Sequence, residues 1–182
     1  MPVTPEEVEK TRKHFAASRS GDRCEECGWN WTTDSDEARA VIDRAPGHYR
    51  GLIAGRWEAA RAKPDPDVWS PNGYVWHMVD ALGIWAERFK ALSEEPGAPV
   101  TGFDQDDLAE VRSYERLSPA AGLWALGRRA ADLAQALESH DPEMQIDHPD
   151  FGPWAIGDVV VWLAHEVHHH AWDIERLLPK DD

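Results

Sequence analysis

Long apolar-periodic segments, two of them opened by Ser-Pro, constrain this chain to a bundle of helices. Ser70-Pro71 and Ser118-Pro119 each place a capping hydroxyl ahead of a proline. The fixed φ of that proline suits a first helical turn, and its missing N–H would find no helical partner there anyway. Thr4-Pro5-Glu6-Glu7 repeats the device, with a glutamate three residues after the cap. Stops are marked by Pro64, Pro96-Gly97 and Pro179. After Ser70, residues Tyr74, Met78, Ala81, Trp85, Phe89 and Leu92 recur at helical spacing, as do Ile156, Val159, Val160, Leu163, Val167, Ile174 and Leu178 near the end. No alternating pattern predicts a strand.

These signals predict an all-α, four-helix bundle preceded by a short N-terminal helix at about 4–18. The first bundle helix is expected over about 35–62, broken at Pro46-Gly47, where proline removes a backbone donor. Helices two, three and four are expected over about 71–94, 119–139 and 156–178. The Gly-, Pro- and Asp-rich stretch 95–118 is too long for a tight hairpin. It implies a crossover that leaves helices two and three parallel and helix four antiparallel to both. Its acidic run, Asp104 to Asp107, reads as a solvated loop. A chain of 182 residues suits one domain, 1–182, with 1–34 as an extension that carries Cys24 and Cys27.

Charge and composition narrow the function classes. A formal net charge of −15 with no basic stripe argues against nucleic acid and anionic lipid as partners. No stretch approaches the roughly 20 apolar residues of a membrane span, and MPVTPEEVEK lacks the basic-then-apolar pattern of a leader. Two cysteines make no disulfide framework, so a cytoplasmic protein is expected. Of the ten tryptophans, Trp29, Trp31, Trp57, Trp76, Trp85, Trp124 and Trp162 are expected in the core, with Trp162 also able to wall a pocket beside the histidines.

Four of the nine histidines fall between 165 and 170. His165 and His169, four apart on a helix, present both imidazoles to one side, where they can share an ion. His77 lies about 9 Å above the start of helix two, and the His165/His169 midpoint about 16 Å from the end of helix four. Antiparallel helices would bring those heights to within about a turn, so the three imidazoles can converge. Three protein ligands would leave a position for water or substrate. Asp80 and Asp173 are candidates to orient the imidazoles, Glu166 is expected to support the site from behind the ligands or to lie at the surface, and His168 and His170 are expected to point elsewhere, exposed or packed, although a cluster of four permits other pairings. Cys24-Glu25-Glu26-Cys27 is a C-x-x-C open to three readings: half of a zinc site completed by His14, His48 or a partner chain, a redox pair, or two reduced thiols. The flanking glutamates disfavour a reactive thiolate. The motif is expected at the start of the first bundle helix, at the opposite end from His77.

Trp69-Ser70-Pro71 with Val75-Trp76-His77-Met78-Val79-Asp80 resembles the second helix of the DinB-like superfamily, which includes the mycothiol-dependent maleylpyruvate isomerases. His148-Pro149-Asp150-Phe151-Gly152-Pro153, then Ala164-His165-Glu166-Val167-His168-His169, resembles its third loop and fourth helix. The resemblance spans about 45–178. It implies a four-helix bundle that binds a divalent metal through His77, His165 and His169. It also implies, in members of known activity, a metal-activated low-molecular-weight thiol. A counterpart of the extra C-terminal domain of the maleylpyruvate isomerases is not expected here.

The expectation is therefore a metal-dependent thiol S-transferase or isomerase acting on a small molecule with a mycothiol-like cofactor. Zinc is expected first, with nickel or iron as substitutes, and a homodimer is the expected assembly. The alternative is a bundle that binds metal without chemistry, as a sensor or interaction module. A less favoured alternative is an H-E-x-x-H zinc protease with Glu166 as base. Position 172 is Trp and position 175 is Glu, so the extended protease motif fails.

Overall fold

Capping chemistry sets the helix starts. The computed structural model describes residues 21–148 and 152–179, and the helix expected at 4–18 lies outside them. The Asp34 carboxylate accepts from the N–H groups of Asp36 and Glu37, opening α1, Ser35–Ile53. A short α2, Trp57–Arg61, follows. The Ser70 hydroxyl accepts from the N–H of Gly73 and opens α3, Pro71–Glu94, and Ser118 does the same for α5, Pro119–Leu137. Between these two lie α4, Gln105–Arg112, and a 3₁₀ turn, Tyr114–Arg116. Strands β1, Gln145–His148, and β2, Gly152–Ala155, form an antiparallel pair before α6, Ile156–Leu177.

Four helices, α1, α3, α5 and α6, make the bundle, and the contacts along them fix their directions. Gly122, near the start of α5, abuts Val75 and Trp76 near the start of α3. His140, just past α5, meets the Phe89 carbonyl near the end of α3 at 2.8 Å. These two helices are therefore parallel, as the long crossover requires. Ser35 lies beside Gly157 at the starts of α1 and α6, and the Tyr49 hydroxyl donates to the Val167 carbonyl at 2.9 Å further along. So α1 and α6 are parallel too. Arg39, near the start of α1, reaches the Leu137 carbonyl at the end of α5, so the two parallel pairs run antiparallel to each other. The core between them holds Tyr49, Leu82, Trp85, Phe89, Leu126, Leu133, Ile156 and Leu163, all almost fully buried. Each such side chain contributes about 1.5–3 kcal/mol by leaving water.

Several expectations are corrected. Pro46 sits inside an unbroken α1, where buried Ile42, Ala45 and Tyr49 hold the helix against the bundle. The break falls instead at Ala54–Arg56, where Gly55 takes φ +81°. The acidic run is no loop: the Asp104 carboxylate caps α4, accepting from the N–H groups of Asp106 and Asp107, and these carboxylates suit a helix N-terminus. The hairpin of β1 and β2 is too short for its alternation to register in sequence. Trp124 is 63% exposed and Trp57 36%, so neither is core; Trp124 lies under the guanidinium of Arg128. No described helix is long and apolar enough to cross a membrane.

The crossover is tied to the start of α3. Asn72 donates to the carbonyls of Tyr114 and Leu117 at 2.8 and 3.1 Å, and the Ser70 hydroxyl donates to Glu115. Asp80 accepts from the Tyr114 hydroxyl at 2.6 Å and pairs with Arg112. This clamp fixes the turn that carries His77.

Candidate metal centre

Helix α6 carries two ligand pairs at i, i+4: His165 with His169, and Glu166 with His170. A one-residue offset rotates the second pair by about 100° around the helix, so the two pairs face different neighbours. Glu166 and His170 face α3. His77 Nε2 lies 3.8 Å from Glu166 Oε2, and His170 Nε2 lies 3.4 Å from the same oxygen. The His77 and His170 rings are perpendicular, 4.9 Å apart. His165 and His169 face the loop before α1, where Cys24 Sγ lies 3.8 Å from His169 Nδ1.

Two groups of donors result, each with all its ligand atoms within 4.8 Å of one another: His77, Glu166 and His170, and Cys24, Cys27, His165 and His169. The three histidines expected to share one ion are divided between them. Glu166 stands at the boundary, its other oxygen 3.6 Å from His165 Nδ1.

Both groups fit a metal by the same test. His77 is 2% exposed and His165 4%, and none of their four ring nitrogens has a hydrogen-bond partner among the described residues. A buried polar atom left unpaired costs about 1–3 kcal/mol, so two buried imidazoles in this condition need a reason. Ligands at about 2.0–2.2 Å from a tetrahedral ion stand about 3.4 Å apart. The 3.4 and 3.8 Å separations around Glu166 are close to that spacing and beyond good hydrogen-bond length.

The electrostatics favour the ligand forms of His77 and Glu166. Burial lowers the His77 imidazole below its ordinary value, which keeps it neutral and able to donate a lone pair. Burial would raise the Glu166 carboxyl, but the imidazoles of His165, His170 and His77 outweigh it and hold the group well below the usual carboxylate range. Burial lowers His170, yet Asp173 and Glu166 push it up to about 9. His170 must therefore give up a proton before it can ligate. Burial also pushes the Cys27 thiol up to about 12, against the pull of the Trp29 backbone N–H.

The walls are aromatic and partly unforeseen. Trp69 packs on His77 with ring centres 5.0 Å apart, and Tyr74 on His170 at 4.9 Å. Burial and the Asp173 charge raise the Tyr74 hydroxyl to about 12, so it remains a proton donor at neutral pH. Of the two candidate orienting carboxylates, Asp173 accepts from His170 Nδ1 at 3.1 Å and from Arg176 at 2.8 Å. Asp80 serves the Tyr114–Arg112 clamp. Trp162 packs on Trp154 at the start of α6. His168 points outward, its Nε2 3.1 Å from the Cys27 carbonyl. Sequence reasoning did not single out His170 or the approach of Glu166 to His77. The signal was present, since the two share the i, i+4 spacing that singled out His165 and His169.

The C-x-x-C loop also lies elsewhere than expected. It runs back along α6 to the histidines instead of staying at the start of α1.

No curated protein matches the chain. Among solved structures it is similar to YfiT from Bacillus subtilis, described as a probable metal-dependent hydrolase with an unusual four-helix bundle topology. The TM-score is 0.71 at 18% identity, over 79% of this chain and 85% of that one. Residues 29–174 match the sequence profile of the DinB superfamily. That match reaches into all four bundle helices and includes His165, Glu166, His169 and His170 of α6, and with the bundle they form it places this chain in the DinB superfamily.

Proposed function

We propose that this protein is a divalent-metal-dependent enzyme acting on a small molecule, with His77, Glu166 and His170 as the protein ligands and one position left for a nucleophile. The observation that carries the reading is the pair of unpartnered nitrogens on fully enclosed His77, facing a carboxylate at 3.8 Å. A bound ion supplies Lewis acidity that keeps a coordinated thiol or water deprotonated near neutral pH. Zinc suits these nitrogen and oxygen donors, and nickel or iron accept them as well.

The chain's own residues prepare the site. Asp173, held by Arg176, accepts from His170 Nδ1 and so turns Nε2 toward Glu166. Trp69 packs on His77 and Tyr74 on His170, and the two rings limit water at the site. The superfamily resemblance supports a low-molecular-weight thiol as the nucleophile, giving S-transfer or isomerisation. The likeness to YfiT supports water as the nucleophile, giving hydrolysis. A panel of electrophiles and esters, assayed with and without added thiols, separates the two. Turnover of neither kind with metal bound would leave a non-catalytic binding bundle.

A second ligand arrangement, His77 with His165 and His169, is favoured by the unpartnered nitrogens of His165. Elemental analysis of wild type, His77→Ala and His170→Ala decides between the arrangements. Loss of one ion in both variants is the expected result. Metal content unchanged in His170→Ala but lowered in His77→Ala would favour the three-histidine set. Content unchanged in His77→Ala would end both readings.

A further inference from the structure

The family match begins at residue 29, just beyond the C-x-x-C loop. Its backbone is shaped around the cysteines. The N–H of Gly28 donates to the Cys24 carbonyl at 3.0 Å, and the N–H of Cys24 donates to the Trp29 carbonyl at 2.8 Å. Gly28 takes φ +74°, which lets the chain turn straight after Cys27, and a β-bridge between Arg23 and Asn30 closes the loop. Both cysteines are free, Cys24 is 4% exposed, and both lie against His165 and His169.

We propose that Cys24, Cys27, His165 and His169 form a separate, closed zinc site that fastens this loop to α6. Around tetrahedral zinc, with sulfur at about 2.3 Å and nitrogen at about 2.0–2.1 Å, the two atoms stand about 3.6 Å apart. Cys24 Sγ and His169 Nδ1 are 3.8 Å apart, within hydrogen-bond reach for sulfur and also close to that spacing. His165 adds buried nitrogens with no other partner among the described residues. Two thiolates and two neutral imidazoles around a divalent cation sum to zero charge, which suits a buried position. Soft sulfur donors favour zinc over magnesium or calcium. Two thiolates and two imidazoles complete a tetrahedron and leave no place for substrate, so the role is structural. The His168–Cys27 carbonyl contact and Arg23 bonded to the Gly28 carbonyl brace the loop in the same position.

This site goes beyond the proposed enzyme site and shares no ligand with His77, Glu166 and His170. The test uses the full-length protein as purified, a Cys24→Ser/Cys27→Ser double variant and His77→Ala. Zinc analysis is expected to show one ion fewer per chain in each of the two variants. With cobalt as probe, a near-ultraviolet thiolate-to-cobalt band is expected in wild type and His77→Ala and is expected to vanish in the cysteine variant. Chelation should speed alkylation of wild-type cysteines by iodoacetamide. Circular dichroism checks that the variants keep their helix content. Wild-type metal content in the cysteine variant, no thiolate band in wild type, or alkylation at the same rate with and without chelator would each overturn the proposal. Metal content unchanged in His77→Ala, with the thiolate band intact, would sink only the enzyme reading.

Discussion

Replacing His77 with leucine should stabilise the metal-free protein and should lose or reverse that advantage when metal is bound. In the free protein, His77 is enclosed with both nitrogens unpartnered among the described residues, and Glu166 at 3.8 Å is too far for a hydrogen bond. An unsatisfied buried polar group costs about 1–3 kcal/mol, and leucine fills similar space without that cost. With chelator present, His77→Leu should therefore unfold later than wild type by about 1–3 kcal/mol in urea. For a chain of this size that is a rise of about 2–12 °C in Tm. With zinc at about 100 times its Kd, wild type gains about 2.7 kcal/mol by mass action, and the variant loses this site's share. The order should then shift toward wild type or reverse. Urea titrations of both proteins, with EDTA and with zinc, are sufficient. A variant destabilised by the same amount in both conditions would show that His77 is a satisfied core residue, and the argument from its unpaired nitrogens would fail.

Other perturbations follow from single contacts. Asp173→Asn weakens the acceptor that aligns His170, and metal affinity should fall about 10–100-fold in a competitive chelator titration, with helix content unchanged. Tyr49→Phe removes the bond to the Val167 carbonyl between α1 and α6, and should cost about 0.5–1.5 kcal/mol by urea denaturation. Two glycines of α5 should respond with opposite signs. A Cβ at Gly122 would meet Val75 and Trp76 at 3.0–3.2 Å, so Gly122→Ala should destabilise by about 1–3 kcal/mol. At Gly127 it would meet only Pro46 at 3.8 Å, so Gly127→Ala should stabilise by about 0.5–1 kcal/mol in the same assay.

The bundle was legible because its signals are local. Serine caps, prolines in first turns and apolar spacing are written within each helix, and α3, α5 and α6 begin at the residues those signals mark. Pro46 misled because packing against the bundle outweighs the local cost of a proline. The direction of α5 was legible too, since only a long segment can return the chain to the start of α3. The path of residues 21–34 was not. It depends on tertiary contacts with α6, and nothing in the loop's own composition indicates which way it turns. The division of the histidines had a similar origin. Spacing identifies which residues share a helical face, but it does not tell which neighbour that face meets. His77 could be matched by height to helix four, yet a rotation of one residue around α6 decides whether it meets His169 or His170.

The parallel pairing of α1 with α6 has a consequence for biosynthesis. Both donor groups draw on α6, and the sulfur and nitrogen of Cys24 and His169 are 145 residues apart in sequence. A ribosome making this chain therefore releases Cys24, Cys27 and His77 long before any of their partners exists. Until α6 emerges, the nascent bundle lacks the wall that covers Tyr49, and neither donor group is complete. A chain stopped before α6 would lack both donor groups.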